Sequence, residues 1–180
     1  MNRKQLEHAI RAACTVANDR ELYVFGSQAI LGGHPEAPET LCTSIEVDVA
    51  PKNRPDAWEE IDGALGELSQ FHDTFGFYVQ GLEIEAATLP DGWNQRCVDV
   101  RGSDSAVGHC LEAHDLALSK LAAFREKDLT FVRTLIIEGL VHSTVLLDRL
   151  ETMTITPPDR KSVIERWIKA TARELPRRPR

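Results

Sequence analysis

The sequence predicts an α+β fold: a mixed β-sheet with flanking helices, followed by a helical C-terminal region. Three observations carry this. Ser44-Ile-Glu-Val-Asp-Val49 alternates strictly between polar and apolar residues, strand-like and helix-like runs interleave up to about residue 108, and from Asp115 onward only helical spacings occur. The expected division is an α/β core over residues 1–108 and a helical region over 109–180.

The elements follow in order. From Asn2 to about Asn18, Leu6, Ile10, Cys14 and Ala17 recur at helical spacing opposite Arg3, Lys4, Glu7 and Arg11, and the turn formers Asn18 and Asp19 close the helix. Glu21-Leu-Tyr-Val-Phe25 is a short β-favouring run stopped by Gly26-Ser27, and Gln28-Ala-Ile-Leu31 begins a second helix that ends at Gly32-Gly33. The proline- and acid-bearing stretch His34–Thr43 reads as a loop. In the strand Ser44–Val49 the period of two sets Glu46 and Asp48 on one face and Ile45, Val47 and Val49 on the other. A helix is expected from Pro55 to about Leu68, burying Trp58, Ile61, Leu65 and Leu68. Strands are then expected over Phe75–Val79, Leu82–Leu89 and Arg96–Arg101, joined as an antiparallel meander by Gln80-Gly81 and Pro90-Asp91-Gly92. The last helix is entered through Thr156-Pro-Pro-Asp159, with Thr156 as N-cap, and buries Val163, Trp167, Ile168 and Ala172.

Composition narrows the function. The 180 residues carry 28 acidic and 21 basic side chains, a formal charge of −7, which argues against a dedicated duplex-DNA binder. No apolar run reaches the roughly 20 residues that a membrane-spanning helix needs, and the first residues hold no secretory apolar core, so a cytoplasmic protein without a membrane segment is expected. Cys14, Cys42, Cys97 and Cys110 show no zinc-like spacing and read as reduced, small apolar residues. The tail Arg173–Arg180 clusters four arginines and is a candidate RNA contact.

Two features carry chemistry. A glycine between a strand and a helix, at Gly26-Ser27, lets the backbone approach an anionic ligand. Glu46 and Asp48 are two carboxylates on one strand face, an arrangement that favours a hard divalent cation with substrate phosphate. Together they suit attack on the α-phosphate of a nucleotide. Read alone, Gly26-Ser27 is an ordinary turn and the acid pair a solvated sheet face.

Phe25-Gly26-Ser27 followed by Ser44-Ile-Glu46-Val-Asp48-Val resembles the signature of the polymerase-β-type nucleotidyltransferase superfamily, hG[GS]…Dh[DE]h. With the string His114-Asp-Leu-Ala-Leu-Ser-Lys120-Leu-Ala-Ala-Phe-Arg125-Glu-Lys127-Asp128, it is similar to a bacterial branch of uncharacterised nucleotidyltransferases related to AbiEii-type toxins of toxin–antitoxin systems. The resemblance implies Mg²⁺-dependent transfer of a nucleotide from an NTP to an RNA or protein acceptor. It places the triphosphate at Gly26 and Ser27, the metal on Glu46 and Asp48, phosphate contacts at Lys120, Arg125 and Lys127, and an organising or catalytic role at Asp128. A third metal-binding carboxylate would come from Glu85, with Glu83 and Asp99 as alternatives. An antitoxin partner is also implied, as is the alternative of a catalytically degenerate fold that acts by binding. Two departures from the pattern stand out: eighteen residues separate Ser27 from Glu46, and the first acid is Glu rather than Asp. Without the resemblance, Lys120, Arg125, Lys127 and Asp128 also read as a solvated helix face, with Asp128 capping the following helix.

Overall fold

The computed structural model describes residues 1–102 and 105–174; the end of the arginine-rich tail, residues 175–180, lies outside the described residues. The described chain is α+β and divides into two compact units. The first comprises Met1–Ala87 and Asn94–Glu112, and the second Thr88–Trp93 with the described residues from Ala113 onward.

The first unit opens with α1 (Arg3–Ala17), whose start is fixed by reciprocal hydrogen bonds between Asn2 and Gln5 and whose end turns through Asn18 in a left-handed conformation. Strand β1 (Glu21–Val24) follows, then a 3₁₀ turn (Ser27–Ala29) running into the short helix α2 (Ile30–Gly33). After the loop come β2 (Glu46–Pro51), α3 (Trp58–Leu65), α4 (Gln70–Phe75), β3 (Tyr78–Gly81), α5 (Trp93–Arg96), β4 (Val98–Arg101) and β5 (Val107–Cys110). Among the described residues the sheet order is β3-β2-β1-β5-β4. β2 runs antiparallel to β1 and parallel to β3, β5 runs parallel to β1, and β4 runs antiparallel to β5.

One face of this sheet is the core. Leu22, Val24, Val47, Val49, Val79, Val100 and Cys110 are buried there with Leu6, Ile10 and Ala13 of α1 and Ile61 and Leu65 of α3. Packing is close enough to demand glycine: a Cβ on Gly108 would lie 2.5 Å from Ile10 Cδ1, and one on Gly81 would lie 2.0 Å from the Trp58 carbonyl oxygen. The alternating partners Glu21 and Tyr23, Glu46 and Asp48, Tyr78 and Gln80, and His109 occupy the opposite face and are half-buried.

Several expectations are corrected. The segment Leu82–Leu89 is a loop with a 3₁₀ turn at Ile84–Ala86, not a strand, so no meander forms. Leu82 N–H donates to the Val49 carbonyl at 2.9 Å, which puts the next β2 donor at Pro51, and proline has no N–H to give. Strand β5 was not anticipated, and β3 begins three residues later than expected. The helix expected over 55–68 is a 3₁₀ turn at Pro55–Ala57 plus α3. Leu68 lies beyond it, 85% exposed and at φ +66°.

The second unit holds α6 (Ala113–Ala123), α7 (Glu126–Ile137), α8 (Ser143–Leu150) and α9 (Asp159–Glu174). Leu116, Leu118, Leu121, Val132, Leu135, Leu146, Leu150, Ile164 and Ile168 form its core. Helix α9 starts at Asp159 rather than beside Thr156, and its buried stripe is Ile164, Ile168 and Thr171, one residue on from Val163 and Trp167. Asp115 is fully buried, with Arg149 donating to its carboxylate at 2.8 Å. No described helix is long and apolar enough to cross a membrane.

Candidate functional site

The strand–glycine junction and the acid pair meet. Phe25, just past β1, donates its N–H to the Asp48 carbonyl at 3.2 Å, and the chain then bends at Gly26 into the 3₁₀ turn, where Ala29 N–H donates to the Gly26 carbonyl at 2.9 Å. Gly26 has φ −75° and ψ −172°, a conformation open to any residue. Space is the constraint: a Cβ there would sit 1.6 Å from Asp48 Oδ2. The Asp48 carboxylate therefore lies against the glycine bend, in the volume any other side chain at 26 would claim.

Glu46 stands two residues earlier on the same face. Its strand is anchored by Ser44, whose hydroxyl accepts the Glu46 N–H at 3.1 Å and whose carbonyl accepts from Gln28 Nε2 at 3.0 Å. Gln28, wholly buried in the turn after Gly26, thus ties the glycine bend to the start of β2, and its Oε1 has no hydrogen-bond partner among the described residues. Sequence reasoning placed Gln28 in an apolar helix; the signal for more was one amide amid Ala29, Ile30 and Leu31.

On β3 the register partners of Glu46 and Asp48 are Tyr78 and Gln80. Burial, then the negative charges of Glu46, Glu67 and Asp48, push the Tyr78 phenol above its ordinary value, so it stays neutral near pH 7. The Gln80 amide donates to Asp62 of α3.

The remaining predicted residues fall elsewhere. Glu85 lies in the 3₁₀ turn after β3, lining a cleft of about 400 Å³ with Pro51, Pro55, Leu82 and Glu83. This is the Pro51 end of β2, away from Glu46, because Leu82–Leu89 leaves the sheet instead of pairing in it. Asp99 accepts from His109 at 2.8 Å and Arg101 at 2.9 Å on the β4–β5 side of the sheet. Among the described residues no group of three His, Cys, Asp or Glu side chains is placed to hold a metal ion. A pair of half-buried carboxylates against a bend without a Cβ still fits Mg²⁺, which takes one or two carboxylates plus substrate phosphate. Glu46 and Asp48 are the residues that would hold it.

Lys120, Arg125, Lys127 and Asp128 belong to the second unit. Asp128 is 1% exposed; Arg125 Nε donates to it at 2.6 Å and Lys120 Nζ lies 3.7 Å away and 5.6 Å from the centre of the Phe131 ring. The Arg125 N–H also donates to Asp128 at 3.3 Å, so Asp128 caps α7 as well as gathering two cations. Lys127 is exposed.

A family model described as "Nucleotidyltransferase of unknown function (DUF6036)" matches residues 4–170. The chain belongs to this nucleotidyltransferase family. The match takes in Gly26, Ser27, Glu46 and Asp48 of the first unit and the Lys120–Asp128 cluster of the second, so all the residues singled out above fall inside the family region. Among curated proteins and among solved structures, none matches the chain.

Proposed function

We propose that this member of the nucleotidyltransferase family transfers a nucleotide from an NTP to a hydroxyl of an RNA or protein acceptor, with Mg²⁺ held by Glu46 and Asp48. The observation that carries the reading is the Asp48 carboxylate seated where a Cβ of Gly26 would be. In the reaction the acceptor oxygen bonds to the α-phosphorus, the bond from that phosphorus to the oxygen bridging it to the β-phosphate breaks, pyrophosphate leaves, and the acceptor proton passes to solvent. Mg²⁺, when bound, supplies charge neutralisation on the phosphates.

The chain's own residues do the rest. The Gly26–Ser27 backbone gives the triphosphate room to approach the sheet, and Gln28 and Ser44 hold the bend and the acid strand in register. Within the second unit Asp128 fixes Lys120 and Arg125 in place, and these two with Lys127 are the cations that the resemblance assigns to phosphate. The resemblance of the Lys120–Asp128 string to the AbiEii-type branch favours an RNA or protein acceptor and an antitoxin partner. Incubation of the protein with Mg²⁺, NTPs labelled at the α-phosphate, and RNA and protein acceptors tests this. Label should pass to an acceptor with wild type and not with E46A/D48A; equal inertness of both across the acceptors overturns transfer.

A second reading is favoured by the neutral flank Tyr78 and Gln80 beside the acids: a fold that binds nucleotide without transferring it. Saturable Mg²⁺-NTP binding in the absence of any turnover would support that reading instead.

A further inference from the structure

Tyr78 brings a hydroxyl to the edge of the acid pair. It opens β3 as the register partner of Glu46, and neighbouring strands lie about 4.8 Å apart. Its backbone N–H is spent on the Ile45 carbonyl at 2.9 Å, and its ring is steadied by His72 of α4, with centroids 5.0 Å apart. Burial acts on the phenol first, then the charges of Glu46, Glu67 and Asp48, so it lies within electrostatic reach of both acids. It hydrogen-bonds to neither of them, and among the described residues the hydroxyl has no hydrogen-bond partner. A half-buried tyrosine hydroxyl ordinarily finds one. The two ionised acids only accept hydrogen bonds, so an anionic ligand brought to them meets a donor in the phenol.

We propose that Tyr78 contacts the ligand: its hydroxyl donates a hydrogen bond to a phosphate oxygen of the nucleotide, with the ring as the support that holds the donor beside Glu46. The proposal rests on the reading of Glu46 and Asp48 as the nucleotide's cation site. Phosphate is the group that a carboxylate-bound Mg²⁺ draws in, and a donor to an anionic oxygen makes a stronger bond than one to a neutral sugar or base oxygen. A lysine or arginine at this place would pair with Glu46 and compete with the cation. A neutral hydroxyl adds a phosphate contact and leaves the carboxylates charged.

Calorimetric titration of the full chain in Mg²⁺, with α,β-methylene-ATP and separately with inorganic tripolyphosphate, tests this on wild type and Y78F. The substitution removes one oxygen that has no partner in the chain, so the denaturant midpoint should stay where it is. Affinity for both ligands should fall by the same factor, about tenfold. Unchanged affinity for both overturns the proposal. A loss confined to α,β-methylene-ATP overturns it too, because the hydroxyl then meets sugar or base, as does a wild type that takes up no tripolyphosphate. A lowered midpoint with affinity intact at matched folded fraction would assign the hydroxyl to the chain and overturn it as well. E46Q/D48N separates the two readings: if it binds both ligands as wild type does, the cation site itself is refuted, whereas a loss there with no effect of Y78F refutes the role of Tyr78 alone.

Discussion

Two stretches of the same polar sheet face set their carboxylates among different strand neighbours. Across β1, β5 and β4, Glu21 and Asp99 each meet cations supplied by the chain. Lys52 donates to Glu21, His109 bridges Glu21 at 2.9 Å and Asp99 at 2.8 Å, and Arg101 donates to Asp99 at 2.9 Å. Lys52 and then His109, hydrogen-bonded to Glu21, hold its carboxyl below its ordinary value, while Glu21 raises the Lys52 ammonium. Across β2 and β3, the register partners of Glu46 and Asp48 are the neutral Tyr78 and Gln80, and burial, then the negative charges of Glu46, Glu67 and Asp48, pushes the Tyr78 phenol up. In the first stretch cations of the chain hold the carboxylates; in the second two carboxylates share one strand face, and one of them lies against a glycine bend.

Carboxylates already satisfied by the chain should cost stability when removed and leave cation binding alone. The largest such effect is expected at Asp115, fully buried with Arg149: D115A should lose about 3 kcal/mol in denaturant unfolding, because it strands a partly buried guanidinium. Next is Asp19, which accepts the N–H groups of Asn53 at 2.7 Å, Arg54 at 3.1 Å and Glu21 at 3.1 Å and the Asn53 amide at 2.8 Å. D19A should cost about 2 kcal/mol. Burial pushes the Asp19 carboxyl up, but the hydrogen bonds outweigh it and the net shift is downward. Its contribution is therefore complete above the ordinary value of 3.8 and lost as pH falls below it, so the wild-type advantage over D19A should shrink in acid unfolding curves.

The acid pair should behave in reverse. G26A puts a methyl where Asp48 Oδ2 lies; the carboxylate swings aside, costing about 1 kcal/mol, and the rise in Tm that Mg²⁺-NTP gives wild type should vanish. E46Q/D48N should abolish the same rise. Smallest of all is E21Q, whose half-exposed ion pairs should shift stability by about 0.5 kcal/mol or less, and less still in high salt. A Mg²⁺ response in E46Q/D48N equal to wild type would erase the distinction between the two stretches.

The sequence showed the acid pair because strict alternation from Ser44 to Val49 places Glu46 and Asp48 on one face whatever the register of the neighbours. It showed α1 and the helical second unit because apolar spacing there survives any tertiary context. The strand was expected to start at Ser44, and it starts at Glu46 because the Ser44 hydroxyl and carbonyl are taken by Glu46 and Gln28. Leu82-Glu-Ile-Glu-Ala alternates as well as many strands do, yet Pro51 stops the ladder it would have joined, and that reach depends on a register no local pattern encodes. Strand β5, Val107-Gly-His-Cys110, is four residues long, with a glycine set by the close approach of Ile10 from α1. For the same reason Gln28 was invisible beside the site: its importance lies in the Ser44 carbonyl it meets.

The most direct test is calorimetric titration of α,β-methylene-ATP into the protein with and without Mg²⁺, for wild type and E46Q/D48N at matched folded fraction. Saturable binding that requires Mg²⁺ and weakens at least about tenfold in the double variant, a loss of about 1.4 kcal/mol, is the predicted result. Equal affinity in both proteins, or binding indifferent to Mg²⁺, would contradict the assignment of the glycine bend and its two carboxylates as the nucleotide site.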